Sequence, residues 1–185
     1  MKVLACAAAA TLVALPAAAD EITDTLRSAI EAYEEGDIAY ALEEVDYARQ
    51  KMLEKQSDAL VGFLPEAPGG WTREVSSEMS AGLAMMGGGT GAQAEYREEG
   101  GDGAMSLTIV AGSPMVGAMS GMLANAAAMG LKVERIGRQK FAIQDEEVTG
   151  LVDSRILVQA NGKDQEQIFA LLEGIDYRAL GRFGQ

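Results

Sequence analysis

Methionine is the one residue type whose number and placement here could do chemistry. The chain holds ten, and eight of them lie between Met79 and Met129. Thioethers are soft ligands, so clustered methionine can hold copper(I) where histidine and cysteine are missing. The same side chain is unbranched and polarizable, and it fills irregular gaps in apolar cores. Met115, Met119, Met122, Ala126 and Met129 step by four, three, four and three, which sets them on one helical face. That face is expected to turn toward a sheet. Met79, Met85 and Met86 stand in a glycine-rich run, MSAGLAMMGGGTG, expected to be loop, where core packing gives methionine no reason to be. These three are the candidate site, either for copper(I) or for an apolar ligand or partner. No other cofactor is implied.

Most other chemistry is excluded by what is missing. The chain has no histidine, which removes the commonest general base, the Ser-His-Asp triad and most zinc and copper(II) sites. Ser113 and Ser154 have no histidine to activate them, and no SxxK occurs. Gly87-Gly88-Gly89-Thr90-Gly91 lacks the GxxxxGK[ST] pattern of a phosphate loop. Carboxylates are plentiful, but Glu34-Glu35, Glu43-Glu44 and Glu98-Glu99 read as solvated faces and turns. Asp102 and Asp145-Glu146-Glu147 lack DxDxDG-type spacing for calcium. The expectation is a non-catalytic binding or assembly protein. A methionine-based copper(I) binder is the first alternative, and an enzyme using paired carboxylates the second.

Residues 1–19 read as an export signal. Lys2 supplies the positive start and Val3 to Leu15 an apolar core. Ala17-Ala18-Ala19 is a small-residue cleavage site, with the cut before Asp20. The segment is short and alanine-rich for a membrane span. The expected compartment is periplasmic or extracellular, and the expected mature chain has 166 residues. Cys6 is the only cysteine and leaves with the signal, so neither disulfide nor thiolate chemistry remains. The formal net charge of −13 opposes binding to nucleic acid or anionic headgroups and suits a basic partner.

The elements that would position any site follow from periodicity. Residues 20–62 read as a helical hairpin. Ile22, Leu26, Ala29, Ile30 and Tyr33 recur on the first helix, and Ile38, Ala41, Leu42, Val45, Ala48, Met52 and Leu60 on the second. Gly36-Asp37 is the break, with Asp37 available to cap the second helix. The stretch AYEEGDIAYALEEVDYARQKMLE resembles one tetratricopeptide repeat, with Ala41, Val45 and Ala48 at its spaced small-large-small positions. Such repeats bury their faces on neighbours, and no second copy is present. Residues 63–70, with Pro65, Pro68, Gly69 and Gly70, are a linker that cannot continue a helix.

From Trp71 the period changes to two, and residues 71–185 read as an α+β domain. Expected strands are Trp71–Val75, Ala92–Glu98 with Ala94 and Tyr96 inward, and Met105–Ala111. After a helix come Val133–Ile136, Gln139–Gln144, Glu147–Val152 and Arg155–Ala160, joined by turns at Gly137-Arg138, Asp145-Glu146 and Asp153-Ser154. The helix between them is the uncharged centre of the chain. Ser113 is its N-cap, Pro114 suits its first turn, and Gly130 marks its end. Its other side carries Gly117, Gly121, Ala124 and Ala128, a strip that permits close packing on the hairpin or on a partner. Asp164 caps a closing helix whose inner face is Ile168, Leu171 and Leu172.

This order predicts an antiparallel sheet with two helices packed on one face. The Pro-to-Trp lead-in, the helix after an early hairpin, the meander and the closing helix together resemble the Mog1/PsbP-like fold. That resemblance implies a binding or assembly factor without catalysis. The Leu-Pro-Glu-Ala-Pro-x-Gly-Trp lead-in and the Ser-Pro-Met corner also resemble a group of exported proteobacterial proteins.

Overall fold

The computed structural model describes residues 20–76, 79, 82–83 and 88–185. Two compact units divide between Ala48 and Arg49, inside a single helix.

The first unit is an αα-hairpin. Helix α1 (Glu21–Glu35) starts where the Asp20 carboxylate accepts from the Thr23 amide at 3.0 Å. It ends at Gly36, whose φ of +86° is the left-handed conformation that glycine adopts freely. Asp37 then accepts from the Tyr40 amide at 3.1 Å and opens α2 (Ile38–Val61). Between the helices lie small residues, namely Thr25, Ala29 and Ala32 from α1 and Ala41 and Ala48 from α2. Tyr47 ties the open end, its hydroxyl donating to Glu21 Oε1 at 2.6 Å.

The second unit begins within α2. Leu60, in the last turn of α2, and Leu64, in the following linker, belong to the core that the sheet builds. The sheet has seven strands: β1 (Trp71–Ser76), β2 (Thr90–Glu98), β3 (Ala104–Ala111), β4 (Lys132–Ile136), β5 (Gln139–Gln144), β6 (Glu147–Val152) and β7 (Ile156–Gly162). Their order is β1-β2-β3-β7-β6-β5-β4, every neighbouring pair antiparallel. The turns fall where composition put them. Gly137 and Arg138, and Asp153 and Ser154, take positive φ in pairs, as tight hairpins demand. Strand β7 runs on through Asn161 and Gly162, because Gly162 pairs with Met105.

Alternation splits the sheet into two faces. Ala94, Tyr96, Leu107, Ile109, Ile156 and Val158 point to one side, and there they meet Ile168, Leu171 and Leu172 of helix α4 (Gln165–Glu173). Asp164 caps α4, and a short helix α5 (Tyr177–Leu180) follows. Val110 and Leu157 are opposite each other and have the other parity. On their side they meet Val116 of helix α3 (Pro114–Ala124), together with Leu83. The helices therefore cover both faces of the sheet, where the order of elements predicts one.

Helix α3 starts as expected, with Ser113 accepting from the Met115 amide at 3.3 Å and Pro114 at the first turn. It stops at Ala124, earlier than expected, where Asn125 donates its side-chain amide to the Gly121 carbonyl at 2.9 Å. A run of turns continues to Gly130, which takes φ of +82°. The Leu131 amide donates back to the Ala126 carbonyl, so the termination signal read at Gly130 closes this run. No helix among the described residues is long and apolar enough to cross a membrane.

Candidate functional site

Of the three candidate methionines the structure describes Met79. Met79 is half-buried against the cluster of Leu83, Val110, Val116 and Leu157. A Cβ added at Gly91 would lie 2.8 Å from Met79 Cγ, so the thioether stem packs directly over β2. Met79 therefore has the packing role that its glycine-rich setting appears to deny it. Met85 and Met86 lie outside the described residues.

On α3 the inward stripe is Val116, Met119 and Leu123, rotated away from the expected methionine face. Met115 and Met122 are 40% and 39% exposed, and Met129 more so. An uncharged helix offers no polar side to orient it, so Val116, Met119 and Leu123 take the sheet while Met115 and Met122 take the edge. Gly117 and Gly121 are exposed, and a Cβ at either would meet nothing within 4 Å. Among the described residues no chain packs on that strip.

The buried titratable groups are structural. Tyr96 donates its hydroxyl to the Pro65 carbonyl at 2.7 Å, and Tyr177 donates to the Leu172 carbonyl at 2.7 Å. Burial pushes Tyr96 up to about 12, against the pull of Arg73, and raises Tyr177 also. Both hydroxyls are engaged by backbone carbonyls, and the Tyr177 side chain also lines the cleft beside the Gly137-Arg138 turn. Among the described residues no three carboxylates gather as a metal site. One cleft of about 560 Å³ opens between the Gly137-Arg138 turn and the C-terminal residues. Arg138, Arg178 and Arg182 line it with Asp153 and Asp176 among them, so opposite charges share the cleft.

An apolar surface lies on the hairpin. Its big apolar side chains are outside: Leu26, Ile30 and Tyr33 on α1, and Ile38, Leu42 and Val45 on α2. Ile30, Tyr33 and Leu42 are 58%, 67% and 61% exposed. On α1 this stripe is rotated from the alanine contact by about 100° at 3.6 residues per turn. On α2 the corresponding rotation is about 70°, in the same sense. In an antiparallel pair, equal senses of rotation carry both stripes to the same side. The six side chains form one apolar face. In sequence they are placed symmetrically about the turn, Tyr33 with Ile38, Ile30 with Leu42 and Leu26 with Val45.

Sequence periodicity finds these positions as the apolar side of each helix, without separating them from the contact between the helices. The signal that separates inside from outside is size. Alanines at positions 29, 32, 41 and 48 let the helices approach closely, and a leucine contact would hold them apart. No family profile, curated protein or solved structure matches this chain.

Proposed function

We propose that the protein is a non-catalytic binding or assembly protein of the periplasm, released from its signal before Asp20, and that it works by docking a partner on the apolar face of its hairpin. One observation carries this reading: six large apolar side chains sit together in water on a unit whose own interior is alanine and threonine. Single exposed leucines are ordinary on protein surfaces, but a contiguous apolar face marks an interaction site. The absence of histidine and of any thiol in the expected mature chain supports a role without catalysis.

Site-directed photocrosslinking in the source cell tests it. A crosslinking residue at position 42 should give one discrete adduct, and the same residue at the exposed Glu146 turn should give none. Absence of any adduct from positions 30, 42 and 45 would overturn the docking role.

A further inference from the structure

We infer that the hairpin face takes a basic amphipathic helix contributed by another protein. The inference rests on the docking role proposed above and adds the chemistry of the occupant.

Charge is the first argument. Residues 20–48 hold ten carboxylates and one arginine, so the first unit, 29 residues ending at Ala48 within α2, carries −9 of the chain's net −13. The single arginine, Arg27, is already bound to Asp24 at 2.9 Å. The apolar stripes have acidic outer borders, Glu34 and then Glu31 on α1, Asp46 and then Glu43 on α2. All four of these carboxylates are exposed. An apolar floor between two acidic rims is complementary to a helix with an apolar stripe flanked by lysine or arginine.

Charge also decides against the other occupants. Two copies face to face would bring −9 against −9 around a dehydrated patch, and like charges across an interface suppress association. Anionic lipid is disfavoured by the same field.

Shape is the second argument. On each helix the stripe runs seven steps from end to end, about 10 Å at 1.5 Å per residue. Two parallel ridges at an interhelical spacing of about 8–10 Å leave a groove that seats a third helix. A partner helix of about three turns, with anchors at i, i+4 and i+7, would cover all six side chains. It would also supply the core that alanine leaves small.

The test uses a fluorescein-labelled peptide of leucine and lysine, patterned so that its leucines share one helical face. Two controls accompany it, the same composition with leucines scattered, and the patterned peptide with glutamate in place of lysine. Fluorescence anisotropy with the purified protein should show micromolar binding of the patterned lysine peptide only. The double variant Ile30→Ser/Leu42→Ser should weaken it at least tenfold, and Glu34→Gln/Asp46→Asn several-fold with a shallower salt dependence. Equal binding of the scattered peptide, or binding indifferent to Ile30→Ser/Leu42→Ser, overturns the proposal. If the glutamate peptide binds as well as the lysine one, the charge argument fails. If sedimentation finds a dimer that Ile30→Ser/Leu42→Ser dissolves, the occupant is a second copy. If phosphatidylglycerol vesicles bind with the same dependence, it is a membrane. In these last cases the crosslink from position 42 would survive, which separates failure of the partner chemistry from failure of the docking role.

Discussion

The Tyr96 hydroxyl, near the C-terminal end of β2, donates at 2.7 Å to the carbonyl of Pro65 in the linker. This bond fixes a segment that composition marks only as a helix breaker. Arg73 adds to it, donating to Glu66 at 2.9 Å and lying 3.5 Å from the Val61 carbonyl. Two prolines stop α2, and a tyrosine and an arginine from the sheet determine where the chain goes next. Removing only the hydroxyl takes the donor from a part-buried carbonyl. Tyr96→Phe should therefore cost about 1–2 kcal/mol. Urea unfolding of the variant and the parent measures it, with unchanged slope as the mark of an intact fold.

The same tyrosine sets an alkaline limit. Burial raises Tyr96 to about 12, and Tyr177 also sits above its ordinary value of 10. Below pH 10 both phenols are neutral in the folded and unfolded chain alike, and their contribution to stability is complete. Above pH 10 the unfolded phenols ionise while the folded ones resist. Stability should then fall by about 1.4 kcal/mol per pH unit for each tyrosine still held neutral, until its folded value is reached. Denaturation midpoints between pH 9 and 12 check this. Tyr96→Phe should remove part of the slope, and an unchanged slope in that variant would contradict the assignment.

Glycine substitutions separate open strips from filled ones. Gly117 and Gly121 form the GxxxG spacing that suggests a close backbone contact, yet an added methyl at either meets nothing within 4 Å. Gly117→Ala should therefore stabilise α3, by up to about 1 kcal/mol, through helix propensity alone. Gly150 has the opposite setting. Its added Cβ would lie 2.6 Å from the Phe141 ring and 2.9 Å from the Lys140 carbonyl. Gly150→Ala should destabilise by about 1–3 kcal/mol through overpacking. Thermal unfolding of both variants decides it. A destabilised Gly117→Ala would mean that the strip is covered in solution.

The methionines give a direct choice between packing and metal. With Met79 seated over Gly91 and beside Val110, Met79→Leu should be nearly neutral, because volume and hydrophobicity are kept. Met79→Ala should cost about 2 kcal/mol. Titration with copper(I) under reducing conditions, against a competing chelator, tests the other use. The docking reading expects no site tighter than micromolar, and a tight site lost in Met79→Leu would restore the copper reading.

Caps, turns and strand alternation were legible because each depends on a few adjacent residues. Asp20, Ser113 and Asp164 cap the helices that follow them, and Ala94 and Tyr96 face inward as their parity requires. Orientation of a whole helix was not legible, because it depends on what the helix meets. Nothing in the sequence of α3 distinguishes the Met115–Met122 side from the Val116–Leu123 side until Val110 and Leu157 supply an apolar counterpart. The surroundings of Met79 are illegible for the same reason, since a glycine-rich context looks like loop until Gly91 is found beneath the thioether. The cleft beside Arg138 was invisible, because its residues come from three separate stretches.

The hairpin gives the sharpest inversion, and so the sharpest prediction. Ordinary amphipathic logic makes Leu42 the valuable residue and Ala48 the dispensable one. Here Ala48 is fully buried between the helices and Leu42 is 61% exposed. Leu42→Ser should change stability by less than about 0.5 kcal/mol, as surface substitutions do. Ala48→Leu should cost about 1–3 kcal/mol, because the added carbons must separate two helices in contact. Far-ultraviolet dichroism through a urea titration measures both, and the peptide-binding assay supplies the second axis. Leu42→Ser should keep the fold and weaken docking, whereas Ala48→Leu should weaken the fold itself. If Leu42→Ser instead unfolds the hairpin, the leucine is an interior residue in solution, and the exposed face on which the docking role depends does not exist.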